Sequence, residues 1–356
     1  MDIKRTILIV ALAVVSYVMV LKWNQDYGQA ALPTQNVAAS STTAPALPDT
    51  VPGNNASNSA DVPSASADTS TVTETPVAAS KDLIHVKTDV LDIAIDPQGG
   101  DIAQLRLPLY PRRQDHPDVP FQLFDNGNER TYLAQSGLTG VDGPDARSSG
   151  RPVFSAEKKT YELAPGQDQM VVDLKFSENG VNYIKRFTLK RGLYDVQVTY
   201  LIDNESGKPW NGNLFAQLKR DASSDPSSST ATGTATYLGA ALWTSAEPYK
   251  KVSMKDIDKG QLKETVQGGW VAWLQHYFVT AWIPQKGDNN VVQTRKDNQG
   301  NYIIGFTGPT LTVEPGKTAE TSATLYAGPK SQGVLKELSP GLELTVDYGI
   351  LWFIAQ

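Results

Sequence analysis

Few side chains in this sequence belong to the types that carry out covalent chemistry. It holds three histidines, His85, His116 and His276, and no cysteine. The histidines lie far apart, and none has a second histidine four residues away, the spacing at which one helix face binds a metal ion. The lack of cysteine excludes disulfides, thiolate nucleophiles and cysteine metal sites. His276, next to Tyr277, is the only one in an aromatic segment, and we interpret it as a hydrogen-bonded core histidine.

The short motifs of known catalytic and nucleotide sites are also missing. There is no G-x-S-x-G nucleophile motif and no G-x-G-x-x-G dinucleotide motif. A P-loop ending at 316–318 would need glycine at position 311, which is Leu311. Residues 256–260 (DIDKG) resemble the start of a calcium loop, but later ligands do not follow, so a solvated turn is predicted. We therefore expect no catalytic, cofactor or metal residues, and no enzyme activity.

The net charge also argues against one class of partner. The 356 residues carry a formal net charge of −6, and the sequence pI is about 5.2. No basic stripe stands out, which disfavours nucleic acid as a partner.

The elements that would position any site are mainly β-strands. Apolar and polar residues alternate in several runs, as they do in strands with one buried face. The clearest runs lie at 91–95, 170–176, 183–189, 194–202 and 302–306. Turn sequences such as 178–180 (ENG) separate these runs, and helical periodicity is scarce before residue 330. An antiparallel β-sandwich over 82–330 is therefore predicted, with a flexible Ser/Thr/Ala-rich loop at 221–235.

The most aromatic segment runs from 268 to 284. Five of its ring-bearing residues are candidates for a core or for a cleft: Trp270, Trp273, His276, Tyr277 and Trp282. The flanking glycine pair and proline, and the β-rich surroundings, favour a strand apolar on both faces at a sheet centre. The alternative is an aromatic-lined cleft for sugars or lipids.

The chain begins with features of a membrane anchor at 1–26. Lys4 and Arg5 precede an apolar run at 6–21, which would rise about 24 Å as a helix. Lys22 and Trp23 suit the membrane interface, and the leading positive charges place the N-terminus in the cytoplasm. A cleaved signal peptide, cut near 28–30, is the competing hypothesis. Both hypotheses export the rest of the chain.

A low-complexity stretch follows at 27–81. Residues 28–80 contain no lysine, arginine or aromatic residue. Such a composition does not bury enough apolar surface to offset the entropy of ordering. A disordered linker is predicted, with a root-mean-square span of roughly 40 Å.

The final segment, 331–356, is predicted to lead into the membrane. Ser331 caps a short helix, which ends at 339–341. Leu342, Val346 and Ile350 then form an i, i+4, i+8 stripe that suits a helix lying at the membrane surface. The apolar run 350–355 is interpreted as the truncated start of a second transmembrane segment, with a final edge strand as the alternative.

The sequence resembles a known family, the Gram-negative YidC insertases, over its whole length. The resemblance is carried by 268–272 (GGWVA), 275–284 (QHYFVTAWIP), 325–330 (LYAGPK) and 344–356 (LTVDYGILWFIAQ). It implies a β-supersandwich similar to the galactose-mutarotase-like domains. It also implies insertion and folding of inner-membrane proteins, alone or with the Sec translocon and its SecDF accessory complex, at the lipid bilayer.

The same resemblance limits which residues can be named. The family's intramembrane groove and its arginine would lie beyond Gln356. The candidates for an interfacial hinge are Leu342, Val346, Tyr348, Ile350 and Trp352. An exported carbohydrate-binding or carbohydrate-active module is the main alternative, and it would need His276 and a carboxylate to converge in an open cleft. A singly anchored periplasmic scaffold is a third hypothesis.

Overall fold

The structure is a computed structural model of the chain. It describes residues 17, 62–63, 82–113, 115–127, 130–226 and 237–346. The chain divides into two units, Met1–Asn54 and Asn55–Gln356, and Tyr17 is the only described residue of the first. The rest of the predicted anchor therefore lies outside the described residues. No helix in the described ranges is both long and apolar enough to cross a bilayer.

The predicted linker, 27–81, also lies outside the described residues, apart from Val62 and Pro63. Both residues are buried. The hydroxyl of Thr139 donates a hydrogen bond to the carbonyl oxygen of Pro63 at 3.1 Å.

The described residues are dominated by strands, numbered here β1 to β19 in chain order. The strands are Ile84–Lys87, Asp92–Asp96, Asp101–Arg113, His116–Asn126, Thr131–Thr139, Ser155–Ala156, Thr160–Glu162, Gln169–Glu178, Val181–Lys190, Asp195–Asn204, Trp210–Arg220, Gly239–Leu242, Lys250–Val252, Lys263–Gln267, Val271–Leu274, Phe278–Pro284, Asn289–Lys296, Tyr302–Val313 and Lys317–Pro329. Two short α-helices are described, α1 (Met254–Lys259) and α2 (Gln332–Leu338), with 3₁₀ turns at Pro144–Ala146 and Leu342–Thr345.

These strands form two large sheets. The first sheet has ten described strands in the order β14-β17-β18-β11-β5-β4-β3-β2-β1-β7. The second has nine, in the order β13-β12-β15-β16-β19-β10-β9-β8-β6. Every described strand pair is antiparallel except β1–β7. This confirms the predicted mainly β, antiparallel fold.

The β8–β9 hairpin illustrates how local sequence forms these strands. β8 and β9 pair in continuous antiparallel register from Gln169–Lys190 to Glu178–Val181. Asn179 and Gly180, which join them, have φ values of 52° and 77°. Two central residues with positive φ form the type I′ turn, whose twist matches that of the flanking strands. The predicted turn at 178–180 is confirmed.

The sheets bury their apolar side chains in two separate clusters. The main core joins the inner faces of both sheets, with Leu105 and Leu107 from the first and Val172 and Leu174 from the second. A smaller outer cluster lies on the other face of the second sheet, around Trp270. Full burial of one such side chain contributes about 1.5–3 kcal/mol, so both clusters stabilise the domain.

The aromatic segment forms two strands inside the second sheet, β15 and β16. β15 pairs with β12 and β16, and β16 pairs with β19. Since the main core covers one face and the outer cluster the other, these strands are apolar on both sides. The predicted central strand is confirmed.

Two local predictions need correction. Residues 256–260 do not form a simple turn, because Asp256 lies in α1. Its side chain and that of Ser253 each accept a hydrogen bond from the other's backbone N–H, a capping box that begins the helix. At α2, Ser331 precedes the helix as predicted, but its side chain makes no capping hydrogen bond. Part of the predicted 221–235 loop lies outside the described residues.

Candidate functional site

The segment that ends the described domain packs against the outer face of the second sheet. Leu335 of α2 and Leu342 are completely buried in the outer cluster, together with Trp270 and Tyr326. Lys330 lies between β19 and α2, and its backbone N–H donates to the carbonyl of Tyr277 at 3.0 Å. The chain after β19 is therefore fixed to the sheet at both ends of α2. We call residues 330–346 the junction.

Trp270 holds the far end of the junction. Its indole nitrogen donates to the carbonyl oxygen of Pro340 at 3.1 Å, in the turn that ends α2. The next residue, Gly341, has a φ of 78° and would bring a Cβ to 2.8 Å from the ring of Trp243. Glycine is needed at this position for both its φ and its close approach to the indole.

The predicted membrane-surface stripe needs a correction at Leu342. The described part of that segment is a 3₁₀ turn, in which Leu342 is 0% exposed and packs into the domain. Val346 is half-buried against the same cluster, whereas Leu344 points outward and is 46% exposed. Tertiary contact with the outer cluster therefore overrides the helical stripe, and Leu342 does not face a bilayer here.

The structure brings together only some of the predicted site residues. Trp270, Leu342 and Val346 meet in the outer cluster. Trp273 and Trp282 lie instead in the main core, where the Trp282 indole donates to the carbonyl of Gln217 at 3.0 Å. They are core residues and do not line a cleft. Three hinge candidates fall outside the described residues: Tyr348, Ile350 and Trp352.

Only a few residues separate the junction from the apolar run at 350–355. Val346 still packs against the domain, and four residues further along begins the run ILWFIA at 350–355. Four residues span at most about 14 Å when fully extended. The position of the apolar run therefore limits the distance between that run and the end of the domain.

His276 lies in the turn between β15 and β16. The carboxylate of Asp225 accepts hydrogen bonds from the backbone N–H of His276 at 2.6 Å and from the side-chain amide of Gln275 at 3.1 Å. Asp225 is buried, and the ring of His276 stands edge-on to Tyr277, which is 57% exposed. This carboxylate stabilises the turn that carries His276.

A cluster of buried charged residues lies between the sheets, and the sequence analysis missed it. Arg151 forms ion pairs with Asp145, at 2.7 Å, and with Asp101. The side-chain nitrogen of Lys185, from the second sheet, donates to the carbonyls of Gly99 at 3.0 Å and Ser136 at 2.9 Å. We call Asp101, Asp145, Arg151 and Lys185 the interior ion cluster.

The interior ion cluster is shielded from solvent. Lys185 is 0% exposed, and burial lowers its pKa from 10.5 to about 7. Because every member is buried, the cluster is suited to joining the sheets. One sequence signal could have revealed the buried lysine. Lys185 lies two residues from both Tyr183 and Phe187, so it belongs to the same face of β9, and β9 buries alternate residues from Val181 onward. The lysine therefore had to point into the core.

In the described ranges, no three histidine or acidic side chains are grouped closely enough to hold a metal ion.

Comparisons with known proteins point to one family. A family model described as the YidC periplasmic domain matches residues 83–356. The membrane protein insertase YidC of Pseudomonas fluorescens strain SBW25 is 85% identical over the whole chain, and that of strain Pf0-1 is 80% identical. The chain spans 63% of the length of each of these two relatives. Among solved structures, a galactose mutarotase related enzyme from Lactobacillus acidophilus aligns over 69% of this chain and 97% of its own, with 10% identity and a TM-score of 0.45.

Proposed function

The chain belongs to the YidC family, and from that premise we propose that it is the anchor and periplasmic part of a membrane protein insertase. The observation that supports this most directly is the 85% identity to a membrane protein insertase over all 356 residues. The proposed activity is the insertion and folding of inner-membrane proteins, alone or with the Sec translocon.

The proposed placement is the inner membrane, with the N-terminus in the cytoplasm and the β-domain in the periplasm. Lys4 and Arg5 before the apolar run 6–21 support that orientation. The junction supports a second membrane contact, because the domain ends within about 14 Å of the apolar run 350–355. In this arrangement the domain stays at the bilayer surface, where the Sec translocon, its SecDF accessory complex and nascent membrane proteins are the proposed partners.

The proposed mechanism is not covalent. Insertion requires polar segments to cross hydrocarbon, where unsatisfied backbone groups cost several kcal/mol each. In this proposal the periplasmic domain holds the first two spans in position through the junction and offers protein-binding surface. A carbohydrate module is the less favoured function, since the relatives that are 80–85% identical to this chain are membrane protein insertases.

The proposal is tested by expressing the full-length gene that contains this chain in a bacterium depleted of its own YidC. A model inner-membrane protein is followed by protease protection of its periplasmic loop. We expect insertion and growth to recover. Failure of a stably expressed, membrane-localised protein to restore either would overturn the proposal. An empty vector and a wild-type Pseudomonas fluorescens YidC gene are the matched controls.

A further inference from the structure

Two residues of the predicted linker belong to the folded domain. Val62 is 8% exposed, and Pro63 is buried. The hydroxyl of Thr139, itself 2% exposed, donates a hydrogen bond to the carbonyl oxygen of Pro63 at 3.1 Å. The composition of 28–80 buries too little apolar surface to order by itself, so a contact at 62–63 requires a surface outside the linker. The hydrogen bond from Thr139 identifies that surface as part of the domain.

The segment 62–63 lies on the face of the first sheet that is turned away from the main core. Ala134 and Leu138 of β5 belong to the main core, and side chains alternate between the two faces of a strand. The side chain of Thr139 therefore points to the opposite face. Val62 agrees with this position, because it is buried but belongs to neither the main core nor the outer cluster.

The end of β5 that presents Thr139 is held by contacts on both sides. The backbone N–H of Leu138 donates to the carboxylate of Asp145 at 2.8 Å, and Asp145 is held in turn by Arg151 of the interior ion cluster at 2.7 Å. On its other side, β5 pairs with β11 up to Thr139. The hydroxyl of Thr139 therefore has a fixed position on the sheet, and a segment that binds it does not have to order the site.

The sequence of the segment suits an ordered contact. The proline ring fixes the φ of Pro63, and a residue before proline is restricted to extended conformations, so Val62 also has few conformations to lose on docking. Valine supplies the apolar side chain, and Pro63 supplies the accepting carbonyl. The linker contains the same dipeptide at Val51–Pro52, which lies outside the described residues. That dipeptide provides a matched control within the same chain.

We propose that the face of the first sheet at Thr139 is a docking site for the chain's own linker, and that Val62–Pro63 is the segment it binds. Docking divides the linker into two parts: 27–61 leads to the predicted anchor, and 64–81 leads to β1. The free linker between the anchor and the domain then has a root-mean-square span of roughly 33 Å instead of roughly 40 Å. Docking itself does not rest on the proposed function; only this shorter tether depends on the anchor.

The docking is tested by distances between pairs of spin labels, measured by pulsed electron paramagnetic resonance on the full chain in detergent. The chain has no cysteine, so labels attach only at introduced positions. One label is placed at Val141→Cys, which is 93% exposed and lies two residues after Thr139. The other is placed at Ala60→Cys, two residues before Val62. We expect a narrow distance distribution centred below about 30 Å, because few residues separate each label from the contact.

The matched control places the second label at Asp49→Cys, two residues before Val51, with the first label unchanged. We expect a distribution at least about twofold broader than that of the Ala60→Cys pair, since a flexible chain has no single end-to-end distance. Equally broad distributions for the two pairs would overturn the proposal. Neither measurement involves insertion activity, so failure of the docking is distinguishable from failure of the proposed function.

Two pairs of variants locate the contact. Val62→Asp places a charge where the valine is buried, and Val51→Asp places the same charge at the matched position. Thr139→Val removes the donating hydroxyl at nearly constant volume, and Thr139→Ser retains it. We expect Val62→Asp and Thr139→Val each to lower the ratio of docked to undocked linker about tenfold, and the two controls to leave it unchanged. An unchanged narrow peak in Val62→Asp, with circular dichroism showing a folded protein, contradicts docking at 62–63.

Dilution distinguishes docking within one chain from docking between two copies. The doubly labelled chain is mixed with an about tenfold excess of unlabelled chain before the measurement. We expect the narrow peak to keep its full amplitude, since a short flexible linker presents its segment to a site on the same chain at an effective concentration in the millimolar range. Loss of most of the peak would show that the segment comes from a second copy, and docking within one chain would then be wrong.

Discussion

The indole of Trp270 and the carbonyl of Pro340 are joined by a 3.1 Å hydrogen bond that closes the end of the domain onto its own sheet. Trp270 precedes β15, and Pro340 follows α2, so the bond connects segments separated by 70 residues. Beside it lie Leu335 and Leu342, both fully buried. The junction is thus part of the folded domain, although the sequence pattern there predicts a helix at the membrane surface.

Leu342→Ala should destabilise the domain by about 2–5 kcal/mol, because it removes a fully buried leucine from the outer cluster. Leu344→Ala, two residues away, removes a side chain that is 46% exposed and should change the stability by about 0.5 kcal/mol or less. Urea unfolding followed by circular dichroism measures both. Similar losses for the two variants would mean that Leu342 is not held in the outer cluster.

Arg151→Met should cost about 3–5 kcal/mol, because it leaves the buried carboxylates of Asp101 and Asp145 without their cation. Arg186→Met removes the partner of Asp173 at the surface, a pair at 2.7 Å whose side chains are substantially exposed, and should cost about 0–1 kcal/mol. The same unfolding measurement compares them. A small loss for Arg151→Met would show that the ion cluster does not hold the sheets together.

The stability should rise with pH between about 7 and 9.5 because of Lys185. Burial lowers the pKa of this lysine from 10.5 to about 7, so in this range the unfolded chain binds a proton that the folded chain does not. Stability increases wherever the unfolded state binds more protons, here by at most about 1.4 kcal/mol per pH unit.

Lys185→Met should lack that rise, whereas Lys175→Met, at an exposed position of β8, should retain it. Unfolding free energies measured across this pH range for the wild type and both variants give the difference directly. A Lys185→Met slope equal to that of the wild type would show that the lysine is charged in the folded protein.

Gly180→Ala should destabilise the β8–β9 hairpin by roughly 1–2 kcal/mol, because a Cβ is unfavourable at its φ of 77°. Its Cβ would also lie 3.2 Å from the backbone of Ser206. Gly207→Ala, where no atom lies within 4 Å of the new Cβ, is the control and should be nearly neutral. Thermal unfolding distinguishes the two, and equal melting temperatures would contradict the type I′ turn.

Local sequence was sufficient to predict several of the strands and turns. The alternation in β8, β9 and β10 and the Asn179–Gly180 turn were readable because strand periodicity and positive φ are properties of neighbouring residues. The aromatic segment was also predicted correctly as a central strand, since apolar residues at consecutive positions fit a strand covered on both faces. The family motifs in the same segments indicated the family.

Contacts between residues distant in the sequence determined the features that local sequence did not predict. Leu342 has the spacing of a surface helix, yet it is buried because the outer cluster around Trp270, 72 positions earlier, offers it an apolar surface. Lys185 meets Asp101 and Arg151 only after two sheets pack face to face. β19 has an edge that β16 does not cover, because β16 stops at Pro284, opposite Ala323, whereas β19 begins at Lys317. Periodicity within a strand reports which residues share a face, but not which strand pairs with that edge or what covers that face, because those depend on residues far away in the chain.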